Sequence, residues 1–313
     1  MKRLILTLTV ALLVCLCAFG GELKIRFFSS EVAEYGDAAF LQFPNGENML
    51  IDMGVIDNGY EIASWLKSKG ITTVDYAVFS HCHSDHVNGF ASLLDSGITV
   101  KVLYSSGYFP TNYRWALGRI DSNNIDHRKV TAGDSFDIGD VHFDVLWPRY
   151  EDLDFANLGQ TSAAISGTGS NNDMNNHSLV LKITYGNTSA LFTGDIYTDG
   201  EADLVAMYAY DPTILDVDVL KVPHHGKATS SSQELFDATT PVLAATTGQF
   251  QMGTKQFGIY VLGGATVTQS WMNGNVDVVM DGTTVTWTAD KEGYIPLYQK
   301  YYDAFMKKLA GAK

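Results

Sequence analysis

Short apolar runs bounded by turn residues alternate along this chain with stretches of helical periodicity. Strands are expected at 23–28, 38–43 and 49–51, separated by turn groups such as Pro44-Asn45-Gly46. A helix is expected over 60–69, closed by Gly70, and then a strand over 74–79 that stops at a group of histidines. Further strands are read at 100–104, 141–146, 178–185, 190–192, 217–222 and 242–246. Several of these are continuously apolar, as in a sheet covered on both faces. The runs 276–280 and 284–288 form a hairpin around Asp281-Gly282. The whole predicts an α/β protein in which two sheets pack together with helices outside.

Both ends of the chain read differently. Lys2 and Arg3 precede an uncharged apolar run over 4–19, and Ala18-Phe19-Gly20 offers a small-residue cleavage site, so 1–20 is expected to be a signal peptide. A retained membrane anchor is the alternative, although the run is short for a span. Cleavage removes Cys15 and Cys17 and leaves Cys82 as the only thiol, which excludes an intramolecular disulfide framework. At the other end Tyr301, Tyr302, Phe305, Met306 and Leu309 fall on one helical face, so 291–313 is expected to be an amphipathic helix docked on the domain. Between these ends, 21–290 shows no repeat or linker and reads as one exported domain. The 155–174 segment, rich in Gly, Ser and Asn, is expected to be an adaptable loop near the site.

Charge narrows the function classes. The 313 residues carry a net charge of −14, which disfavours a non-specific polyanion binder; nucleic acid is not the favoured substrate. Of eight histidines, six fall in three short segments. In Ser80-His81-Cys82-His83-Ser84-Asp85-His86, four metal-capable side chains leave the end of one strand. Imidazole and carboxylate suit zinc, manganese or iron. His81 and His83 are placed to serve one ion. Asp85 and His86, one turn on, serve a second about 3.5–4 Å away, the spacing of two-metal hydrolytic sites. His177 precedes another strand and would complete a three-histidine set. Asp195, after Thr193-Gly194, is the bridging candidate. His224 and His225 follow the strand 217–222; one of them would ligate and the other contact substrate or donate a proton. Cys82, between two ligands on an alternating backbone, points away and is not a nucleophile.

These residues resemble the metallo-β-lactamase fold of metal-dependent hydrolases. His81, His83, Asp85 and His86 match its H-x-H-x-D-H motif, and 50–54, 176–181 and 193–195 are similar to its D-x-G turn, N-x-S-L-V-L strand and T-G-D turn. Leu220 through Gly226 is similar to the L-K-V-P-H-H-G signature of the branch that contains the hydrolase domain of the DNA-uptake channel protein and choline-phosphate esterases. The resemblance implies a four-layer αββα sandwich. It also implies two divalent ions, zinc before manganese or iron, held by His81, His83 and His177 on one side and by Asp85, His86 and His224 or His225 on the other. Asp195 would bridge the two, and Asp52 would orient a ligand imidazole from behind. Relatives of this branch carry a His-Pro pair after the next strand, where this chain has 246–253 without either residue.

The expected activity is hydrolysis of a phosphoester or phosphodiester by a metal-held hydroxide, on a small molecule or a surface polymer outside the cytoplasm. Asp85 or Asp195 would hold the attacking group, and the non-ligating member of His224 and His225 would meet the leaving group or oxyanion. Two alternatives stand beside it. One is a lactonase or β-lactamase. The other is a non-catalytic protein that keeps its ions structurally and binds a partner through the aromatic loop 104–115.

Overall fold

The computed structural model describes residues 20–29, 36–153, 171–248 and 251–291. Residues 1–19 of the leader, the apolar stripe at 301–309 and positions 155–170 of the expected loop lie outside the described residues.

Strands and helices are numbered in chain order. The first sheet contains β1 (Leu23–Phe27), β2 (Ala38–Gln42), β3 (Asn48–Met53), β4 (Thr73–Val78), β5 (Thr99–Ser105) and β6 (Asp126–Lys129). The second contains β7 (Ser135–Ile138), β8 (Val141–Trp147), β9 (Val180–Tyr185), β10 (Thr188–Phe192), β11 (Val219–Lys221), β12 (Leu243–Thr246) and β13 (Thr266–Gln269). The chain then returns to the first sheet as β14 (Val276–Met280) and β15 (Val285–Ala289), giving the order β15-β14-β1-β2-β3-β4-β5-β6 against β13-β12-β11-β10-β9-β8-β7.

Burial explains why the two sheets meet. In β1 the residues Leu23, Ile25 and Phe27 are buried while Lys24 is exposed and Arg26 half-buried, so one face turns inward. With Leu41, Met49, Ile51, Phe143, Leu181, Ile183 and Phe192 they fill the space between the sheets. β3 is buried along its whole length. Met49 and Ile51 face the other sheet, while Leu50 and Met53 face the helices α1 (Ile56–Ser68) and α2 (Gly89–Asp95). On the far side, Leu191, Leu220 and Ala244 pack under α3 (Thr198–Met207), α4 (Gln233–Thr239) and α5 (Thr254–Leu262). The expected αββα sandwich is therefore present.

Three strands went unread in the sequence, and each of them is a sheet edge: β6, β7 and β13. Edge strands bury little, and β6 reads Asp-His-Arg-Lys, so the apolar alternation that marks a strand is missing. α1 begins four residues earlier than its periodicity indicates. Gly59 hides its start, because the carbonyl of Gly89 approaches so closely that a Cβ at 59 would lie 2.1 Å from it. In the aromatic loop 104–115, Tyr104, Tyr108, Phe109 and Tyr113 are all at most 7% exposed and belong to the core, so these four rings are turned inward and not toward a partner, while Trp115 is half-buried. Among the described residues no helix is long and apolar enough to cross a membrane.

In the first sheet β3, β4 and β5 run parallel, as do β10, β11, β12 and β13 in the second. The carboxyl ends of parallel strands leave a crevice that side chains from successive loops can share. Asp52 at the end of β3, Ser80 and His81 just past β4, Asp195 past β10, His225 past β11 and Thr247 past β12 all reach this crevice.

Candidate metal centre

Close chain crossings bring the segments together. Leu179 N–H donates to the Ser80 carbonyl at 2.8 Å, setting the chain that carries His177 beside the one that carries His81. Asp195 N–H donates to Ser178 Oγ at 2.9 Å. Gly194 lies at φ +52°, and a Cβ there would sit 2.5 Å from Ser178 Cβ and 3.2 Å from Ser80 Cβ, so only glycine allows this approach. A Gly194→Ala variant is expected to push Asp195 out of place. It should lose stability by more than about 1 kcal/mol and lose bound metal as well, read by thermal melts and metal analysis.

The inner end of the crevice is organised around His86 and His225, both fully buried. Their Nε2 atoms point to shared oxygens. His86 Nε2 lies 3.2 Å from Asp195 Oδ2 and 4.0 Å from Asp85 Oδ2, and His225 Nε2 lies 3.3 Å from each of those oxygens. Ligands about 2.0 Å from a tetrahedral zinc stand roughly 3.3 Å apart, so these separations fit a cage for one ion. His86 Nε2 is buried and makes no hydrogen bond among the described residues, as a nitrogen reserved for a ligand would.

Both rings are held from behind through Nδ1. His86 Nδ1–H donates to Asp52 Oδ2 at 2.8 Å, and His225 Nδ1–H donates to the Thr247 carbonyl at 3.1 Å. These contacts fix the tautomer that leaves Nε2 for metal. Asp52 is held in turn by Ser80, whose N–H donates to Oδ1 at 2.8 Å and whose hydroxyl donates to Oδ2 at 2.6 Å. Burial pushes the Asp52 pKa up, and these three donors stabilise its carboxylate form. Thr247 lies in the stretch where the branch it resembles carries His-Pro, and its carbonyl steadies His225 there.

His81 Nε2 and His83 Nδ1 converge to 2.8 Å, and the His81 ring packs 4.1 Å from that of His86. Burial lowers the pKa of both His81 and His83, so they present neutral lone pairs. His177 is buried against Tyr108, and its Nε2–H donates to the Asp152 carbonyl at 2.9 Å. His224 turns away from the cage. Its Nδ1–H donates to Thr229 Oγ1 at 2.6 Å, and its Nε2 stays 3.9 Å from Asp195 Oδ2. Burial brings its pKa down to about 3, which keeps the ring neutral.

The opposite courses of the two adjacent histidines come from the backbone. His224 and His225 sit at φ +49° and +54°, and Asp52 at +56°. Left-handed backbone costs a non-glycine residue on the order of 1–2 kcal/mol, and the network around the site must over-determine all three.

Asp37 was not read from the sequence as a site residue. Ligand atoms of Asp37, His86, Asp195 and His225 all lie within 4.8 Å of one another. Asp37, however, faces the Nδ1 side of both rings at 3.9 Å, where Asp52 and the Thr247 carbonyl already hold them, and it pairs with the buried Lys221 ammonium. We therefore place it behind the ligands. Lys221 also donates to the Gly194 carbonyl at 2.8 Å and to Asp195 Oδ1 at 3.3 Å, and so fixes Asp195 with Oδ2 toward the imidazoles. A polar residue in an early Gly-Asp-Ala turn was a visible signal, but without its partner Lys221 it reads as a turn former.

Charge supplies a second test of fit. Burial would raise the pKa of Asp195, yet His225, His86 and Lys221 hold it well below the usual range. Burial would lower the pKa of His86 and His225, yet the neighbouring carboxylates hold His86 well above its usual value and His225 up to about 9. Asp37, Asp52, Asp85 and Asp195 face one ammonium, Lys221, so with neutral imidazoles the cluster keeps three negative charges. One divalent ion leaves it negative. Two make it positive by one charge, which an anionic oxygen then cancels.

Cys82 is buried, and its thiol donates to the Tyr108 carbonyl at 3.1 Å, away from the imidazoles. Burial, and next Asp52, raise its pKa. The native protein is expected to resist a thiol reagent such as Ellman's reagent, with one thiol of the described residues reacting only after denaturation.

Comparison with known proteins gives the family and the fold. The chain belongs to the metallo-beta-lactamase superfamily, which matches residues 33–243. It is 28% identical over 199 residues to Uncharacterized protein YcaI of Escherichia coli, covering 61% of this chain and 21% of that protein. It is 28% identical over 182 residues to ComE operon protein 3 of Bacillus subtilis, covering 58% and 20%. The chain thus spans about a fifth of the length of these curated relatives. In structure it is similar to the metallo-beta-lactamase fold protein YhfI of Bacillus subtilis, with a TM-score of 0.51 at 11% identity over 85% of this chain and 99% of that one.

Proposed function

We propose that this protein is a dinuclear metallohydrolase of anionic phosphoesters, with phosphodiesters as the favoured class. The observation that carries the reading is the convergence of His86 Nε2 and His225 Nε2 on Asp195 Oδ2 and Asp85 Oδ2 at 3.2–4.0 Å, with both rings pinned from behind. Asp85, His86 and His225 would hold one ion, His81, His83 and His177 the other, and Asp195 both. When bound, two divalent ions supply Lewis acidity and lower the pKa of water enough for hydrolysis near neutral pH.

The protein's own residues do the rest. Asp52 and Thr247 keep the two imidazoles in the ligating tautomer. Lys221 and Asp37 hold Asp195 in register. His224, neutral and beside Asp195, keeps its one N–H on Thr229 Oγ1 and presents Nε2 only as an acceptor, so it lines the crevice without donating to a leaving group or an oxyanion. No side-chain nucleophile is required, which agrees with the buried thiol of Cys82. The extra positive charge of a doubly loaded site favours an anionic ester over a neutral lactone or lactam.

Export is part of the proposal, resting on 1–20 as a cleaved leader, with 21–290 as the hydrolase domain. N-terminal sequencing of protein from the medium or periplasm should begin at Gly21.

The activity test uses the purified chain loaded with zinc or manganese. It should bind about two ions and turn over bis-p-nitrophenyl phosphate, with chelation abolishing the rate. Turnover of lactones in preference to phosphodiesters would favour the second reading. Two tightly held ions without turnover of any ester would return the protein to a structural role.

A further inference from the structure

We propose that the Ser80 hydroxyl is the positioning group common to both ion sites, fixing the His81 ring directly and the His86 ring through Asp52, so that affinity for both ions depends on one oxygen. The inference rests on the dinuclear reading and names the group that links its two halves.

The contacts of that oxygen assign its role. Ser80 lies two residues past β4 and is 3% exposed. Its Oγ is 2.6 Å from Asp52 Oδ2, 3.1 Å from His81 Nδ1 and 3.3 Å from His86 Nδ1. A hydroxyl has one hydrogen to give and lone pairs with which to receive, whereas a carboxylate only receives, so the O–H goes to Asp52. His86 Nδ1–H has its nearer acceptor in Asp52 Oδ2, at 2.8 Å. The lone pairs of Ser80 Oγ are then left for His81 Nδ1–H, and among the described residues that nitrogen has no other hydrogen-bond partner.

A proton held on Nδ1 leaves the lone pair of His81 on Nε2, the atom that meets His83 Nδ1 at 2.8 Å. One hydroxyl therefore sets the tautomer of a ring on each side. It acts on His81 by accepting its N–H, and on His86 by holding the carboxylate that accepts the other. The two rings pack 4.1 Å apart, close enough for a single oxygen to lie beside both Nδ1 atoms. Ser80 has no freedom to choose between them. Its N–H donates to Asp52 Oδ1 at 2.8 Å, and its carbonyl accepts from Leu179 N–H at 2.8 Å. Asp52 depends on that support, because it sits at φ +56°, a left-handed backbone that its neighbours must hold in place.

The test uses the full chain as wild type, Ser80→Ala and Ser80→Thr. Zinc affinity is measured by competition with a chromophoric chelator, and ring-nitrogen NMR of isotope-labelled histidine locates the His81 proton. Supports of this kind are worth about ten- to a hundredfold in metal affinity, so Ser80→Ala should weaken both ions by roughly that factor, and Ser80→Thr should recover most of it. In zinc-free wild type the His81 proton should sit on Nδ1, and in Ser80→Ala it should spread to Nε2, a shift that lower stability alone does not produce. Unchanged affinity for either ion in Ser80→Ala would overturn the assignment. So would a wild-type His81 proton on Nε2, a result read without any variant and therefore decisive even where Ser80→Ala does not fold. Two ions in the wild type with neither weakened in Ser80→Ala would sink this inference and keep the dinuclear reading. A wild type that binds only one ion would sink both.

Discussion

Replacing Asp195 with asparagine will leave a folded protein that has lost one ion and turns over phosphodiester on the order of 10³-fold more slowly. The fold survives because the backbone amide of residue 195, which donates to Ser178 Oγ, is untouched by the change. The site does not. Oδ2 is the atom that both Nε2 nitrogens face at 3.2 and 3.3 Å, and Oδ1 accepts from Lys221. An amide is a weak ligand and carries no charge, so it serves neither ion well and leaves Lys221 with Asp37 as the carboxylate it pairs with. Metal analysis, thermal melting and kcat on the same preparation check this. Two ions retained with turnover within about tenfold of wild type would show that Asp195 does not hold both ions.

Chelation is expected to lower the melting temperature by about 10 °C. Two ions, each present at about a thirtyfold excess over its Kd, contribute about 2 kcal/mol apiece and about 4 kcal/mol together, and a domain of this size shifts roughly 2–4 °C per kcal/mol. The physical source is the repulsion among Asp37, Asp52, Asp85 and Asp195, which Lys221 and the protonated His86 and His225 offset only in part.

The gain in melting temperature on adding metal should also widen with pH. In the chelated protein His225 holds its proton up to about pH 9, because the carboxylates around it outweigh its burial. An unfolded histidine titrates near 6.5, so this contribution to stability is complete below about 6.5 and is lost as pH rises toward 9. Metal displaces that proton and removes the dependence. Melts at pH 6, 7.5 and 9 with and without chelator check the sign, and a gain that shrinks with pH would contradict it.

How much of this was legible in the sequence follows from how each feature is encoded. The buried central strands announce themselves as apolar runs, and β4 and β11 end just before histidines proposed as ligands. The edge strands do not, because what defines them is a neighbour on one side and not a buried face. The proposed ligands in the three histidine segments and Asp195 could be picked out in the sequence because imidazoles at such density are rare by chance. Which of His224 and His225 enters the cage was not: the answer lies in two left-handed backbone conformations that no side-chain pattern specifies. Asp37 and Lys221 were missed as a pair for a related reason. They lie 184 positions apart, and only the packing of the sheets shows that one neutralises the other.

The central claim is that this crevice holds a pair of divalent ions, and anomalous X-ray scattering from crystals of the zinc-loaded protein tests it most directly. Data collected on either side of the zinc absorption edge should show two peaks about 3.5–4 Å apart, one beside His81 and His83 and the other among Asp85, His86 and His225, with Asp195 between them. A single peak, or density on the Asp37 and Lys221 side of the imidazole rings, would contradict the account.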